Sequence, residues 1–391
     1  MRDLFLLDPG LTFLNHGSFG ACPREVLAEQ RRWQDEMERN PVEFLGRRSA
    51  ALLRSAREVL AGFVGASADD LVFVPNATSA VNIVAQSLDL QPGDEVLATD
   101  HEYGACDATW QRVCAQRGAV YRRVTVPLPF DRSRFVEQLL AQAGPRTRLV
   151  FASHITSTTA LVFPVAQLCA AASARGLLTL IDGAHAPGQI ELALDALGAD
   201  FYAANLHKWV CAPKGAGFLH ARAQRQAALH ATVTSWGYAE TSGGHSGFDA
   251  YLGRTTIERR LQWQGTRDIS VWLAVPAALA FHRQHWGAEV RARGHAMAMA
   301  LMQRVAEHNG LATIALEDDF ALMAPLPVAT ADPDALRRRL FEAHGIEVPV
   351  TSHGGRQFVR VSVAAYTTEA ELQALEVALQ AEAARDLASR P

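Results

Sequence analysis

Cysteine is scarce in this chain and carries no pairing pattern. Cys22, Cys106, Cys114, Cys169 and Cys211 are odd in number, and no CxxC pair occurs among them. A disulfide framework and a structural zinc site both need paired spacing, so reduced thiols in a cytoplasmic protein fit better. No resident metal is expected. No stretch approaches the ~18 consecutive apolar residues of a membrane span. The N-terminal MRDLFLLDPGLTFLNHGSFG lacks the order of basic region, apolar run and small-residue cleavage site that marks a signal peptide. Charge of one sign is lacking too. A net charge of −4 gives no pull toward nucleic acid or an anionic membrane, so neither is expected as a partner. The glycine fingerprints GxGxxG and GxxxxGK[ST] are missing, which weakens a Rossmann or P-loop reading.

The 391 residues suffice for one large domain plus a smaller one. Residues 23–62 read as helical, with a break at Asn40-Pro41. Apolar strands then alternate with Ala- and Leu-rich stretches. Strands are expected at 71–75, 94–100, 119–126, 148–154, 177–182, 200–205 and 215–221. Continuous apolar strands joined by crossover helices predict a largely parallel sheet covered on both faces. The gap at 206–214 is too short for a crossover helix, so the last strand could run antiparallel. Residues 234–256 read as a long loop and 268–309 as helical. Short strands near ALMAPLP, EVPVT and QFVRVSV and a closing helix after Thr368 suggest a second, α+β domain.

In an open α/β sheet, ligands bind beyond the carboxyl ends of the strands. Polar residues cluster there: Asn76 to Thr78, Asp100 to Tyr103, Ser153 to Thr156, Asp182 to His185, and Asn205 to Lys208. Asp182 follows the apolar run LLTLI. It reads either as a helix cap or metal carboxylate, or as the charge partner of a cationic ring nitrogen. His185 is a hydrogen-bonded pocket histidine or a contact to a bound ring. Lys208 is a surface lysine or, between FYAANL and WVCAPKGAGFL, a desolvated amine competent to form an imine. The run NATSAVN at 76–82 opens a helix and is either a simple cap or a phosphate cradle.

These features together resemble the fold-type I enzymes that use pyridoxal 5'-phosphate (PLP), and within them the class V aminotransferase family. Asp182-Gly183-Ala184-His185 looks like its D-x-[AG]-[QH] segment. Asn205-Leu206-His207-Lys208 with Ala212-Pro213-Lys214-Gly215-Ala216-Gly217 looks like its lysine motif and trailing turn. NHGSFG at 15–20, NATSAVN, TDHEYGA at 99–105 and DGAHAPGQI at 182–190 are similar to isopenicillin-N epimerase-like members. The resemblance implies an α/β fold with a mostly parallel sheet flanked by helices. It implies a large cofactor domain over 20–270 and a smaller α+β domain from 1–19 and 271–391.

It also implies roles. Lys208 binds the cofactor as a Schiff base and moves the proton at Cα, and Asp182 pairs with the ring nitrogen. Tyr103 stacks on the ring and His185 lies near the ring oxygen. Ala77, Thr78, Ser157 and His207 join the cofactor contacts, and Thr266 reaches the phosphate of a neighbouring subunit. Arg360 holds the substrate α-carboxylate, with Asn15 and His16 beside the substrate. On residues alone, Arg360 is equally a strand-edge surface charge. A homodimer with shared active sites, acting on a small amino-acid-like substrate with a free α-carboxylate, follows from the same resemblance. The implied activity is epimerisation at Cα, with C–S or other β-elimination and transamination as alternatives. No cysteine follows Cys211, so sulfur transfer through a mobile cysteine is not expected. A PLP-fold protein without catalysis and a nucleotide-dependent dehydrogenase are the rival classes.

Overall fold

The computed structural model describes residues 1–238 and 252–388, so most of the loop expected at 234–256 lies outside the described residues. Seven strands form the main sheet: β2 (Leu71–Val74), β3 (Glu95–Thr99), β4 (Val120–Val124), β5 (Thr147–Ser153), β6 (Leu178–Asp182), β7 (Phe201–Asn205) and β8 (Gly217–Ala221). Six fall within the segments expected from the apolar runs, and β5 begins one residue earlier, at Thr147. Their spatial order is β2-β8-β7-β6-β5-β3-β4. β8 pairs antiparallel with both β2 and β7, and the other pairings are parallel. The short 206–214 connection dictates this reversal, because a parallel return needs a crossover of a dozen or more residues.

Side chains alternate across the sheet and bury on both faces. Phe73, Leu97, Val150, Ile181, Tyr202 and Phe218 join one core, while Val72, Val96, Leu149, Leu180, Phe201 and Leu219 join the other. Strand β4 is the exposed edge and carries Arg122 and Arg123, charges that discourage edge-to-edge pairing.

The helical reading of 23–62 resolves into helix Arg24–Arg39 and, after a break, a short α turn Pro41–Glu43 and a π-helical stretch Phe44–Arg48 that run into helix Ser49–Val64. The break falls at Asn40, whose side chain accepts from the Glu43 N–H while Pro41 takes the first helical position. The expected helix over 268–309 is three pieces, Ser270–Leu273, Val275–His285 and Ala288–Asn309. A smaller antiparallel sheet has the order β11 (Val350–His353), β12 (Arg356–Ser362), β9 (Met323–Val328). Pro325 and Pro327 are tolerated on β9 because it is an edge strand. At the N-terminus, β1 (Thr12–Phe13) pairs in parallel with β10 (Ile346–Glu347). Among the described residues, no helix is long and apolar enough to cross a membrane.

Candidate active site

The chain passes from β3 outward to β4 and returns to the other side of β3 as β5. A switch of this kind opens a crevice at the carboxyl ends of the strands. A cavity of about 280 Å3 lies at this edge. Its walls include Thr78, Tyr103, Ser157, Asp182, His185 and Lys208, together with Ala77, His207 and Asn205. Nine residues that the sequence scatters over more than a hundred positions thus meet because each ends or follows a strand of one sheet.

Lys208 is no surface lysine. Its Nζ lies 3.0 Å from His185 Nε2. Burial, reinforced by the nearby Arg360 charge, pushes its ammonium down to about 7, against the pull of Asp182. Asp182 ends β6 and is 3% exposed. Its Oδ1 accepts the Ala184 N–H at 2.9 Å, and its Oδ2 has a weak thiol donor, Cys106 Sγ, at 3.5 Å. Burial raises its pKa, opposed by the Ala184 bond and by Lys208. Gly183 beside it has no freedom to vary, since a Cβ would sit 2.1 Å from the Tyr202 ring. Burial holds His185 well below its ordinary value, with Lys208 and Arg360 adding to the effect, so the ring is neutral. Its Nδ1 is buried without a partner. His207 is pushed down to about 4, mainly by burial, and its Nδ1–H donates to the Ala216 carbonyl at 3.0 Å.

The run at 76–82 is both a cap and a cradle. Asn76 caps the helix Ala77–Ser87 by accepting the Ser79 N–H at 2.8 Å. The Ala77 N–H is taken by Asn205 Oδ1 at 2.8 Å. The Thr78 N–H, next in the first turn, makes no hydrogen bond among the described residues and borders the cavity.

Arg360 is 4% exposed and sits on the central strand β12, which removes the surface-charge reading. Its guanidinium donates to the Ser157 carbonyl and to the hydroxyls of Ser157, at 3.3 Å, and Ser18, at 3.1 Å. Its Nε has no partner, and no carboxylate faces it among the described residues. Burial alone brings its pKa down to about 10. A buried cation without a counter-charge is costly, and an anion arriving beside it would relieve that cost.

Two residues expected beside the substrate stand elsewhere. His16, expected beside the substrate, is sealed behind the wall. Its Nδ1 meets the Tyr366 hydroxyl at 2.9 Å and its Nε2–H donates to the Lys208 carbonyl at 3.0 Å, so it braces the lysine backbone. Asn15 bonds Glu347 and accepts from the Ser18 hydroxyl at 2.5 Å, so it reaches Arg360 only through Ser18. Thr266 is exposed and does not line this chain's cavity. Sequence reasoning missed Ser18 and Cys106. Ser18 lies within the quoted NHGSFG motif, but nothing in that motif announces a contact with Arg360.

Comparison with known proteins decides the family. The Aminotransferase class-V model matches residues 19–375. The chain belongs to the class V aminotransferase family. It is 39% identical to isopenicillin N epimerase of Streptomyces clavuligerus over 388 residues, covering 97% of each chain. It is 32% identical to putative L-cysteine desulfhydrase 1 of Oryza sativa subsp. japonica, covering 88% of this chain and 74% of that one. Among solved structures it superposes with a TM-score of 0.83 on a C-DES variant with glycine covalently linked to its PLP cofactor. That match is 24% identical and covers 97% of this chain and 99% of the other. The protein is a fold-type I enzyme that uses PLP and acts at the substrate Cα.

Proposed function

We propose that this enzyme removes a sulfur substituent from Cβ of a small cysteine-type amino acid. The observation that carries the reading is a small pocket with one available base. At about 280 Å3, the cavity lies just below the ~300–1,000 Å3 of ligand pockets, which suits the cofactor and a small substrate rather than a large one. Among its described lining residues, Lys208 is the group whose pKa falls near neutrality, while His185 and His207 are pushed far below it. β-Elimination needs one base, whereas inversion at Cα must deliver a proton to the opposite face.

The residues present fit the cofactor. Asp182, buried with an underused Oδ2, would hold the protonated ring nitrogen. The Thr78 N–H at a helix start would hold the phosphate, with His207 beside it. Tyr103 would cover the ring, and the unpartnered His185 Nδ1 would meet a ring substituent. Bound there, PLP supplies an electron sink for the pair released at Cα. Arg360 clamps the substrate carboxylate and so aims the Cα–H bond at Lys208. Lys208 takes that proton, the Cβ–S bond breaks with its electron pair leaving on sulfur, and hydrolysis of the released enamine gives pyruvate and ammonia.

Epimerisation is the second reading, favoured by the 39% identity to isopenicillin N epimerase, against 32% for the desulfhydrase. Incubating the holoenzyme with L-cysteine and L-cystine, and separately with isopenicillin N, decides between them. The expected result is pyruvate and sulfur release from the small substrates. Inversion of isopenicillin N without any pyruvate from either small amino acid overturns the lyase reading.

The active form is proposed to be a homodimer in which Thr266 serves the partner's phosphate site. Thr266 is exposed and does not line its own cavity, as expected of a residue lent to a two-fold mate. Light scattering under assay conditions is expected to give twice the 42.4 kDa of one chain. A monomer mass at full activity overturns it.

A further inference from the structure

A second cluster lies outside the cofactor cavity. Asp100 and His101 follow β3 of the large sheet, and His353 ends β11 of the small one. His101 Nε2 lies 3.8 Å from Asp100 Oδ1, and His353 Nε2 lies 3.7 Å from Asp100 Oδ2. One donor atom from each residue falls within 4.8 Å of the other two. The separations to Asp100 are too long for hydrogen bonds. They come close to the roughly 3.4 Å between two ligand atoms that share one tetrahedral ion.

A second observation points to a ligand. His101 is 1% exposed, yet its Nε2 has no hydrogen-bond partner. Its other ring nitrogen is spoken for: Nδ1 meets Thr159 Oγ1 at 2.7 Å, and that hydroxyl meets Thr156 Oγ1 at 2.8 Å. When the Thr159 hydroxyl accepts from Nδ1–H, the Nε2 lone pair is left for the cluster, the arrangement of a metal-ligating histidine. The His353 and Asp100 side chains are 13% and 21% exposed, so one side stays open for water ligands. Arg123 donates to the Asp100 carbonyl at 3.0 Å, but its charge is shared with Asp107 at 3.6 Å.

We propose that Asp100, His101 and His353 bind a divalent transition ion of the zinc class at the junction of the two sheets. Two imidazoles and a carboxylate suit zinc and its neighbours and disfavour magnesium and calcium. The ion ties β11 to the loop that carries Tyr103, so it clips the small sheet to the mouth of the cofactor cavity.

The test uses chelator-stripped holoenzyme dialysed against micromolar Zn2+, with metal measured by atomic emission. The wild type is expected to retain one ion per chain. His353→Ala, and His353→Gln as the more conservative change, are expected to bind it roughly tenfold or more weakly while keeping the cofactor absorbance. His353 is the last residue of the edge strand β11, so the fold is expected to tolerate both changes. Failure of the wild type to bind micromolar Zn2+ overturns the proposal, as does equal retention by the wild type and both variants.

Discussion

Replacing Lys208 with alanine is expected to abolish turnover, and the loss of its proton transfer alone accounts for roughly 10^2–10^4 in kcat. The reason lies in its surroundings. Burial and the Arg360 charge bring the amine to about 7, so a useful fraction is neutral at working pH. Arginine at the same position keeps the charge but supplies no neutral amine, and is expected to be equally inactive. Borohydride reduction of the wild-type holoenzyme, followed by peptide mapping, is expected to place the cofactor label on the peptide containing Lys208. A label on another lysine, Lys214 included, removes Lys208 from the centre of the mechanism.

Arg360→Ala is expected to lower kcat/KM by about 30-fold or more, the loss that follows when one partner of a buried charge pair is truncated, about 2–5 kcal/mol. The free enzyme already contains the argument. The guanidinium is held by Ser18 and Ser157, has no acid facing it among the described residues, and retains an unpartnered Nε. That is a receptor for an anion, and the substrate carboxylate is the anion on offer. Arg360→Lys keeps the charge but loses the fork, so rescue should be partial. Both variants are expected to keep the cofactor bound, because the serines and not the ring hold the guanidinium. Wild-type kinetics in Arg360→Ala would place the substrate carboxylate elsewhere.

Much of the architecture is legible in the sequence. Most of the seven strands were visible because each is a short, largely apolar run, the pattern of strands buried on both faces, whereas β4 is an exposed edge with two arginines. The reversal of β8 was readable from the length of one connection. The weaker readings involved helices: the 268–309 stretch is interrupted twice, and apolar periodicity does not report such breaks. For the site, Asp182, His185, His207 and Lys208 were recognisable because two strand ends carry them in short motifs. His16 was misplaced for the opposite reason. A motif reports that a residue matters, and burial decides whether it faces the ligand or braces the backbone behind it.

The sequence by itself determined the sheet, the edge at which ligands gather and the family chemistry, since strand patterning and local motifs are short-range properties of the chain. Only the tertiary structure decided that Arg360 has no counter-ion, that His16 supports the Lys208 carbonyl, and that His353 meets Asp100 and His101. Each of these joins residues from distant parts of the chain. Such contacts arise from how the small sheet packs on the large one, and the charge and pKa of a group depend on that packing rather than on its neighbours in sequence.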